Sequence, residues 1–370
     1  MKRLLCLVLC AVLLSGVRIS AMAVSAKAAA VINGDTGEIL FSQNADEKLP
    51  MASTTKIMTA LLLCEHGEPE KEITVTADML RVEGSSMGLL AGDRVTYHDL
   101  LYGMMLASGN DAANVAAIAL SGSVERFVEK MNAKAAELGL SNTHFVTPSG
   151  LDADGHYTTA AELAALAAYA LKNESFAKAA ASESAVLNYG NPPYRRSLKN
   201  HNKMLKLYNG AVGVKTGFTK KSGRCLVSAA RQDGKLAVAV TLNDPNDWED
   251  HEALLDFGLS EIKQTDYSPK TSMYAIPVIG SDTEKLQVFI EPYTVNTLET
   301  QNINCTVNLP KFLYAPIKKG EVLGSAVYTL NGKVIGTVEL KALTGAEPYS
   351  EPLGIAEILI RNIKYIFLNF

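Results

Sequence analysis

Residues 50–64 read PMASTTKIMTALLLC. From Lys56 onward this run is apolar nearly all round, and it is long enough for a helix. A helix with no polar face belongs in the middle of a domain. Ser53 then stands where a core helix begins. Its hydroxyl faces a cleft, and its backbone N–H lies at a helix N-terminus, where it can stabilise an oxyanion. Lys56 lies one turn on, so its amine shares a face with the Ser53 hydroxyl. Apolar surroundings penalise a charged lysine and lower its pKa. A neutral amine beside a serine hydroxyl is a general base beside a nucleophile. The plainer alternative is a solvated capping serine with an exposed lysine, and the apolar helix body argues against it.

The surrounding chain supplies the rest of a domain. Residues 28–44 (AAAVINGDTGEILFSQN) hold two alternating runs around Asp35-Thr36-Gly37, which predict a hairpin. Helices are expected at 98–107, 110–120 and 123–138. Another starts near Thr159, where TAAE suggests a capping box closed by Glu162. Three strand-like runs follow, AVGVKTGFT, GRCLVSAAR and KLAVAVTLN, the last two joined by the turn Gln232-Asp233-Gly234. One more helix fits 249–259. Strands, then helices, then strands imply an α/β protein of the α+β kind. Its antiparallel sheet is closed by both chain ends, with helices between them. This catalytic unit is placed at 27–265. Beyond it the helical patterns stop. Short runs such as MYAIPVIG, KLQVFIEP and KVIGTVELKAL, with the hairpin signal Asn331-Gly332, predict a small all-β domain over 268–348.

The chain ends carry signals of another kind. Lys2 and Arg3 precede the apolar run LLCLVLCAVLL (4–14) and the small residues of AMAVSAKAAA. Charged start, short apolar core and small exit residues predict a signal peptide over 1–26, cleaved after Ala23 or Ala26. The apolar run is too short to span a bilayer. The expected location is therefore outside the cell, beyond the cytoplasmic membrane. At the far end, GIAEILIRNIKYIFLNF (354–370) puts Glu357, Arg361 and Lys364 on one helical stripe. Ile355, Ile358 and Ile366 lie opposite. An in-plane amphipathic anchor over 351–370, resting on a membrane surface, fits this pattern, and packing against the β domain is the alternative.

Composition excludes several classes. Charged residues make up 20% and the net charge is −4 with no basic run, so nucleic acid is not an expected partner. Cys64, Cys225 and Cys305 are what remains after the leader, too few and too odd for a disulfide framework. The six histidines, His66, His98, His144, His156, His201 and His251, form no ligand-spaced cluster. No cofactor and no metal are expected. His201, near the third motif below, reads as a structural or rim residue.

Two further triplets follow STTK in order: SGN at 108–110 and KTG at 215–217. Each alone is weak, and the chain holds a second S-x-x-K (Ser175 to Lys178) and a second S-x-N (Ser42 to Asn44). Those two read as accidental, from their order and surroundings. Ser108-Gly109-Asn110 lies between two predicted helices and would by itself be a helix cap. Beside the other motifs, Ser108 becomes a proton relay and Asn110 a ligand for a substrate amide. Lys215 and Thr216 supply a cation and a hydroxyl for a substrate carboxylate. Gly217 lets the substrate backbone approach. The Phe218 N–H would be the second oxyanion donor.

The three motifs, with NADEKLPMASTTKIMTALL, EGSSMGLLAGD, LLYGMMLASGNDAA, TPSGLDADGHYTT and GVKTGFT, resemble the D-alanyl-D-alanine carboxypeptidases, the low-molecular-mass penicillin-binding proteins. The likeness is close over residues 25–262 and covers the β domain and tail by layout. It implies a penicillin-recognising serine transpeptidase/β-lactamase-like fold. The implied substrate is the pentapeptide stem of peptidoglycan, which loses its terminal D-alanine, and β-lactams would acylate the same serine. Carried over by residue, Ser53 is the nucleophile and Lys56 the base. Ser108 and Asn110 form the second element, Lys215 and Thr216 the third. Two departures follow. Some members have histidine after K-T-G, where this chain has Phe218. Some use a later arginine for the substrate carboxylate, but NDPNDWEDHEALL (243–255) contains none, which leaves Arg224 as the substitute. A β-lactamase would need a deacylating glutamate in an E-x-x-L-N run, which is missing. A penicillin-binding sensor without turnover is disfavoured by three intact motifs. A D,D-endopeptidase stays open.

Overall fold

The computed structural model describes residues 24–298, 303–350, 354–356 and 360. Of the leader expected at 1–26, residues 1–23 lie outside them, as does most of the anchor, including Glu357, Arg361 and Lys364.

The expected hairpin is present. Strand β1 (Ala28–Asn33) is buried throughout and pairs with β2 (Ile39–Gln43). On its other side β1 pairs with β9 (Lys235–Leu242), Ala28 opposite Leu242. β9 pairs with β8 (Gly223–Gln232), and β8 with β7 (Ala211–Thr219). The result is an antiparallel sheet in the order β2-β1-β9-β8-β7, built from both ends of this half of the chain. Side chains alternate across a sheet. Cys225, Val227 and Ala229 therefore enter one apolar layer, and Leu226 and Ala230 the other. With both faces covered, these strands read as nearly continuous apolar runs.

The first layer is filled by α1 (Lys56–His66), α2 (Tyr97–Met105), α3 (Asn110–Ser121), α4 (Val124–Glu137), α5 (Ala160–Ala170) and α6 (Glu174–Ala181). The second holds the short α7 (Met204–Leu207) and α8 (Asp247–Glu261), whose Leu254, Leu255 and Leu259 meet Val31 and Ala239. α1 is the run that opened the sequence reading. Seven of its eleven residues are buried, from Lys56 to Leu63. The capping box expected at α5 forms only by half. Thr159 Oγ1 accepts from the Glu162 N–H. The Glu162 carboxylate turns away, to the Asn142 N–H and the Thr143 hydroxyl. Two strand pairs were not legible in the sequence: β3 (Glu72–Thr74) with β4 (Arg94–Thr96), and the hairpin of β5 (Ser184–Gly190) with β6 (Pro193–Lys199). The first is three residues long, and the second is charged and largely exposed.

Beyond α8, the described residues from 263 to 350 form strands and no helix. β10 (Lys263–Tyr267) pairs with β13 (Tyr293–Thr297), and β11 (Met273–Ile279) pairs with β12 (Lys285–Phe289) and, in parallel, with β15 (Leu313–Tyr314). β14 (Ile303–Asn308), β16 (Val322–Leu330) and β17 (Lys333–Lys341) make a third sheet. Asn331 and Gly332 turn between the last two with φ of 50° and 80°, the left-handed pair a two-residue hairpin demands. Main-sheet turns grip β13. Asn33 Nδ2 donates to Asn296 O at 2.7 Å, and Thr297 Oγ1 donates to Glu38 Oε2 at 2.6 Å. Among the described residues no helix is long and apolar enough to cross a membrane.

Candidate active site

Ser53 lies in a tight 3-10 turn, Ala52–Thr55, that runs directly into α1. The turn is held by its own hydroxyls. Thr54 Oγ1 donates to Met51 O at 2.6 Å, and Thr55 Oγ1 donates to Ala52 O at 2.8 Å. Ala52 sits at φ 47°, a left-handed conformation that costs a non-glycine residue about 1–3 kcal/mol and needs such support.

Lys56 is fully buried, and its amine reaches three oxygens: Ser149 O at 2.6 Å, Asn110 Oδ1 at 2.7 Å and Ser53 Oγ at 2.9 Å. Burial, followed by the nearby Lys215 charge, holds its pKa well below the usual lysine value, with Asp111 opposing. Carbonyl oxygens can only accept. A neutral amine therefore gives its two protons to Ser149 and Asn110, and its lone pair is left pointing at the Ser53 hydroxyl. This is the geometry a general base requires.

Asn110 was expected to hold a substrate amide, and the structure places it otherwise. Its Oδ1 is on Lys56 and its Nδ2 donates to Glu83 O at 2.6 Å, so both ends of the amide are engaged inside the protein. The residue is 5% exposed. Its Oδ1 fixes one direction of the Lys56 amine. Nor does Ser108 or Asn110 cap α3: Gly109 is the N-cap residue and no side chain caps it. Ser108 has φ 56°, which turns its Oγ to accept from Lys215 Nζ at 3.0 Å.

Lys215 is almost wholly buried, and burial pushes its pKa down to about 7. Its amine also donates to Thr216 O at 2.9 Å. β7 is the edge strand of the sheet, so alternate backbone groups face the open cleft. The Thr219 N–H turns back to Ser222 Oγ, and strand alternation then puts the Phe218 N–H on the free edge. The Phe218 side chain itself is exposed. Gly217 has a packing role as well. A Cβ there would stand 3.0 Å from the Ser53 nitrogen and 3.1 Å from Met51 O. The missing side chain first makes room for the nucleophile turn, because β7 packs directly against it.

Arg224 lies opposite Phe218 in the β7–β8 pairing and lines the cleft. Its Nη2 donates to the buried carboxylate of Asp247 at 2.6 Å, and its guanidinium lies 5.5 Å from the Trp248 ring. It lines the cleft already paired to an anion, and its Nε is buried without a hydrogen-bond partner. Ser53, Ser108, Thr216, Phe218 and Arg224 thus border one cavity of about 310 Å³, with Ser85, His201 and Trp248 on its walls. His201 is exposed there, as a rim residue should be.

The accidental motifs lie elsewhere. Ser175 and Lys178 are on α6 beside a different cavity, with Leu63, Tyr97 and Leu101. Ser42 is in β2, and Asn44 Nδ2 donates to Lys27 O. The sequence reading assigned no part to the Ser149 and Glu83 carbonyls or to Asp111. Asp111 binds the Met87 and Leu89 N–H groups and so fixes the loop that carries Glu83. The stretches TPSGLDADGHYTT and EGSSMGLLAGD were the signal for them. Among the described residues no cluster of three or more His, Cys, Asp or Glu could hold a metal ion. All three cysteines there are free, Cys225 buried and the others half-buried.

A serine hydroxyl met by a buried lysine amine, with backbone N–H groups on the edge of an antiparallel sheet, defines a serine acyl-transfer enzyme. Comparisons with known proteins narrow the class. Residues 16–246 match the family model for D-alanyl-D-alanine carboxypeptidase, and residues 264–347 match that for the C-terminal domain of penicillin-binding protein 5. The chain is 33% identical over 359 residues to D-alanyl-D-alanine carboxypeptidase DacF of Bacillus subtilis (strain 168), covering 90% of this chain and 92% of that protein. The crystal structure of the D-alanyl-D-alanine carboxypeptidase DacD from Francisella tularensis superposes with a TM-score of 0.64 at 25% identity, over 90% of this chain and 96% of that one. The Streptomyces K15 DD-transpeptidase gives 0.62 at 31%, over 64% and 98%. The chain belongs to the D-alanyl-D-alanine carboxypeptidase family. It is a serine-type carboxypeptidase, a hydrolase of the penicillin-binding class.

Proposed function

We propose that the enzyme removes the terminal D-alanine from peptidoglycan pentapeptide stems through an acyl-enzyme on Ser53, and that β-lactams acylate the same oxygen. The observation that carries this reading is the Lys56 amine, held by two carbonyls with its third direction on Ser53 Oγ. Lys56 takes the hydroxyl proton as Oγ attacks the carbonyl carbon of the penultimate D-alanine. The oxyanion forms between the N–H groups of Ser53 and Phe218. As the peptide bond breaks, its nitrogen receives the proton that Lys56 took, passed on by way of Ser108, which Lys215 holds in place, and the Lys56 amine is neutral again. D-alanine leaves. Water then attacks the ester, Lys56 accepts the water's proton and returns it to Ser53 Oγ as the ester bond breaks, and the shortened stem leaves with a new carboxylate. Lys215, Thr216 and the unengaged donors of Arg224 receive the terminal carboxylate. The test is intact mass after penicillin. One acyl group should add, and peptide mapping should place it on Ser53. Ser53→Ala should abolish it, and label on Ser175 would overturn the assignment.

The enzyme is exported and works at the cell wall, held to the outer face of the cytoplasmic membrane by residues 351–370. Cleavage of the leader follows Ala23. Val24 and Ala26 are buried in the second apolar layer, Gln43 Nε2 donates to both their carbonyls, the Ser25 N–H donates to Asp250, and Ser25 Oγ donates to Asp244. Cutting after Ala26 would remove these contacts, with Ser25 lost to both Asp244 and Asp250. The N-terminal residue of the secreted protein decides the point: Val24 supports it and Lys27 refutes it.

A further inference from the structure

His156 lies outside the three motifs, and the mechanism above does not use it. It is buried where the loop 146–156 meets the nucleophile turn. Its hydrogen bonds run in one direction. The Val146 N–H donates to Nδ1 at 2.9 Å, so Nδ1 carries no proton. The ring proton is therefore on Nε2, which lies 2.8 Å from Thr55 Oγ1 and donates to it. Thr55 Oγ1 then has its own proton free to donate to Ala52 O, also at 2.8 Å. Ala52 is the left-handed residue immediately before Ser53.

The same loop supplies the base with an acceptor. Ser149 O takes a proton from Lys56, and Thr59 Oγ1 donates to the neighbouring Pro148 O at 2.6 Å. Gly150 follows at φ 87°, and a Cβ on it would fall 1.9 Å from Ala52 O. Loop and turn are thus in direct contact, and His156 is hydrogen-bonded to both. An imidazolium could not accept from Val146. Burial, and then His144, push the His156 pKa down to about 4, with Asp152 opposing, so the ring stays neutral near neutral pH.

We propose that His156 is a positioning residue for acylation: through Thr55 it sets the Ser53 turn, and through Val146 it sets the loop whose Ser149 carbonyl aims the Lys56 lone pair. It touches no substrate. The proposal rests on Ser53 being the nucleophile and Lys56 its base, and it adds the device that fixes both from behind.

The test compares acylation by a fluorescent penicillin, resolved into prior binding and the acylation step, in His156→Ala, His156→Gln, Thr55→Val and Thr55→Ser. Rates are expressed per folded molecule, with melting temperature measured alongside. His156→Ala and Thr55→Val should each slow the acylation step about tenfold, the scale of one lost positioning hydrogen bond, with prior binding unchanged. The double variant should lose no more than either single one, because both break one chain of bonds. Glutamine keeps an acceptor and a donor, and serine keeps the hydroxyl, so both should restore the rate. If His156→Ala does not fold, the Thr55→Val and Thr55→Ser pair carries the test alone. Wild-type acylation in Thr55→Val, or a loss seen only in melting temperature, would overturn the proposal. Labelling that survives Ser53→Ala would instead remove the nucleophile assignment on which it rests, so the two failures are told apart.

Discussion

Asn110→Asp puts the lysine-base argument at risk with a single atom change. In the native site Asn110 Oδ1 lies 2.7 Å from Lys56 Nζ and Nδ2 donates to Glu83 O. Aspartate keeps the size and adds a negative charge at that contact. Coulomb attraction at this distance is about 6 kcal/mol at an effective dielectric of about 20. Part is returned. The new carboxylate is buried, and one of its oxygens faces the Glu83 carbonyl, which now has no donor. A net of about 3 kcal/mol remains, which raises the Lys56 pKa by about two units. The sign follows from the role. A raised pKa keeps the amine protonated to higher pH, and a protonated amine cannot take the Ser53 proton. Acylation at a fixed pH below the new pKa should fall about a hundredfold, and it should recover as pH rises through that value. The assay is the rate of fluorescent penicillin labelling between about pH 6 and 10, with Ser53→Ala as blank and circular dichroism as the folding check. A variant whose rate stays within about threefold of wild type, with its pH limb unmoved, would refute the reasoning, because a shift of even one unit is tenfold.

Lys56→Arg keeps a long basic side chain but cannot give up its proton, so acylation should drop by about two to four orders of magnitude while the fold survives, and near-wild-type labelling would sink the base assignment. Stem peptides ending in D-alaninamide should react about ten- to a hundredfold more slowly than the free acid, since carboxylate donors are left unpaired. Arg224→Ala should narrow that ratio, and an unchanged ratio would confine Arg224 to its pair with Asp247. His251 is buried between Ser228 and Thr241, with its pKa pushed down to about 3 by burial. The unfolded chain takes up that proton first, so this contribution to stability should fall as pH drops below about 6.5 and level off near the folded value. In His251→Gln, urea unfolding should show a shallower loss over that window, with the His156 share remaining, and an identical slope would show that His251 is not buried neutral. Deleting residues 351–370 should release active enzyme from membranes, and a truncated protein that stays bound would refute the anchor.

Much of the site was legible because its signals are local. Ser53 and Lys56 are one helical turn apart on an apolar helix, so their shared face follows from helix geometry whatever the rest of the chain does. The strands AVGVKTGFT, GRCLVSAAR and KLAVAVTLN follow one another through short turns, and their pairing is nearly forced. Asn331-Gly332 specifies its hairpin by the two positive φ angles it tolerates. Tertiary structure decided what depends on partners distant in the chain. Asn110 carries the same amide whether it faces substrate or Lys56, and only packing of α3 against α1 turned it inward. Ser149 serves through its backbone carbonyl, which every residue possesses, so no side-chain pattern could announce it. Glu162 had the right spacing for a capping box, but Thr143 and the Asn142 N–H, twenty residues away, took its carboxylate. Arg224 was placed at the cleft by its register opposite Phe218, and was paired there by Asp247, a neighbour 23 residues off. Sequence spacing dictates which groups share a helix or a hairpin. Which hydrogen-bond partner a buried polar group takes depends on which elements the fold packs beside it.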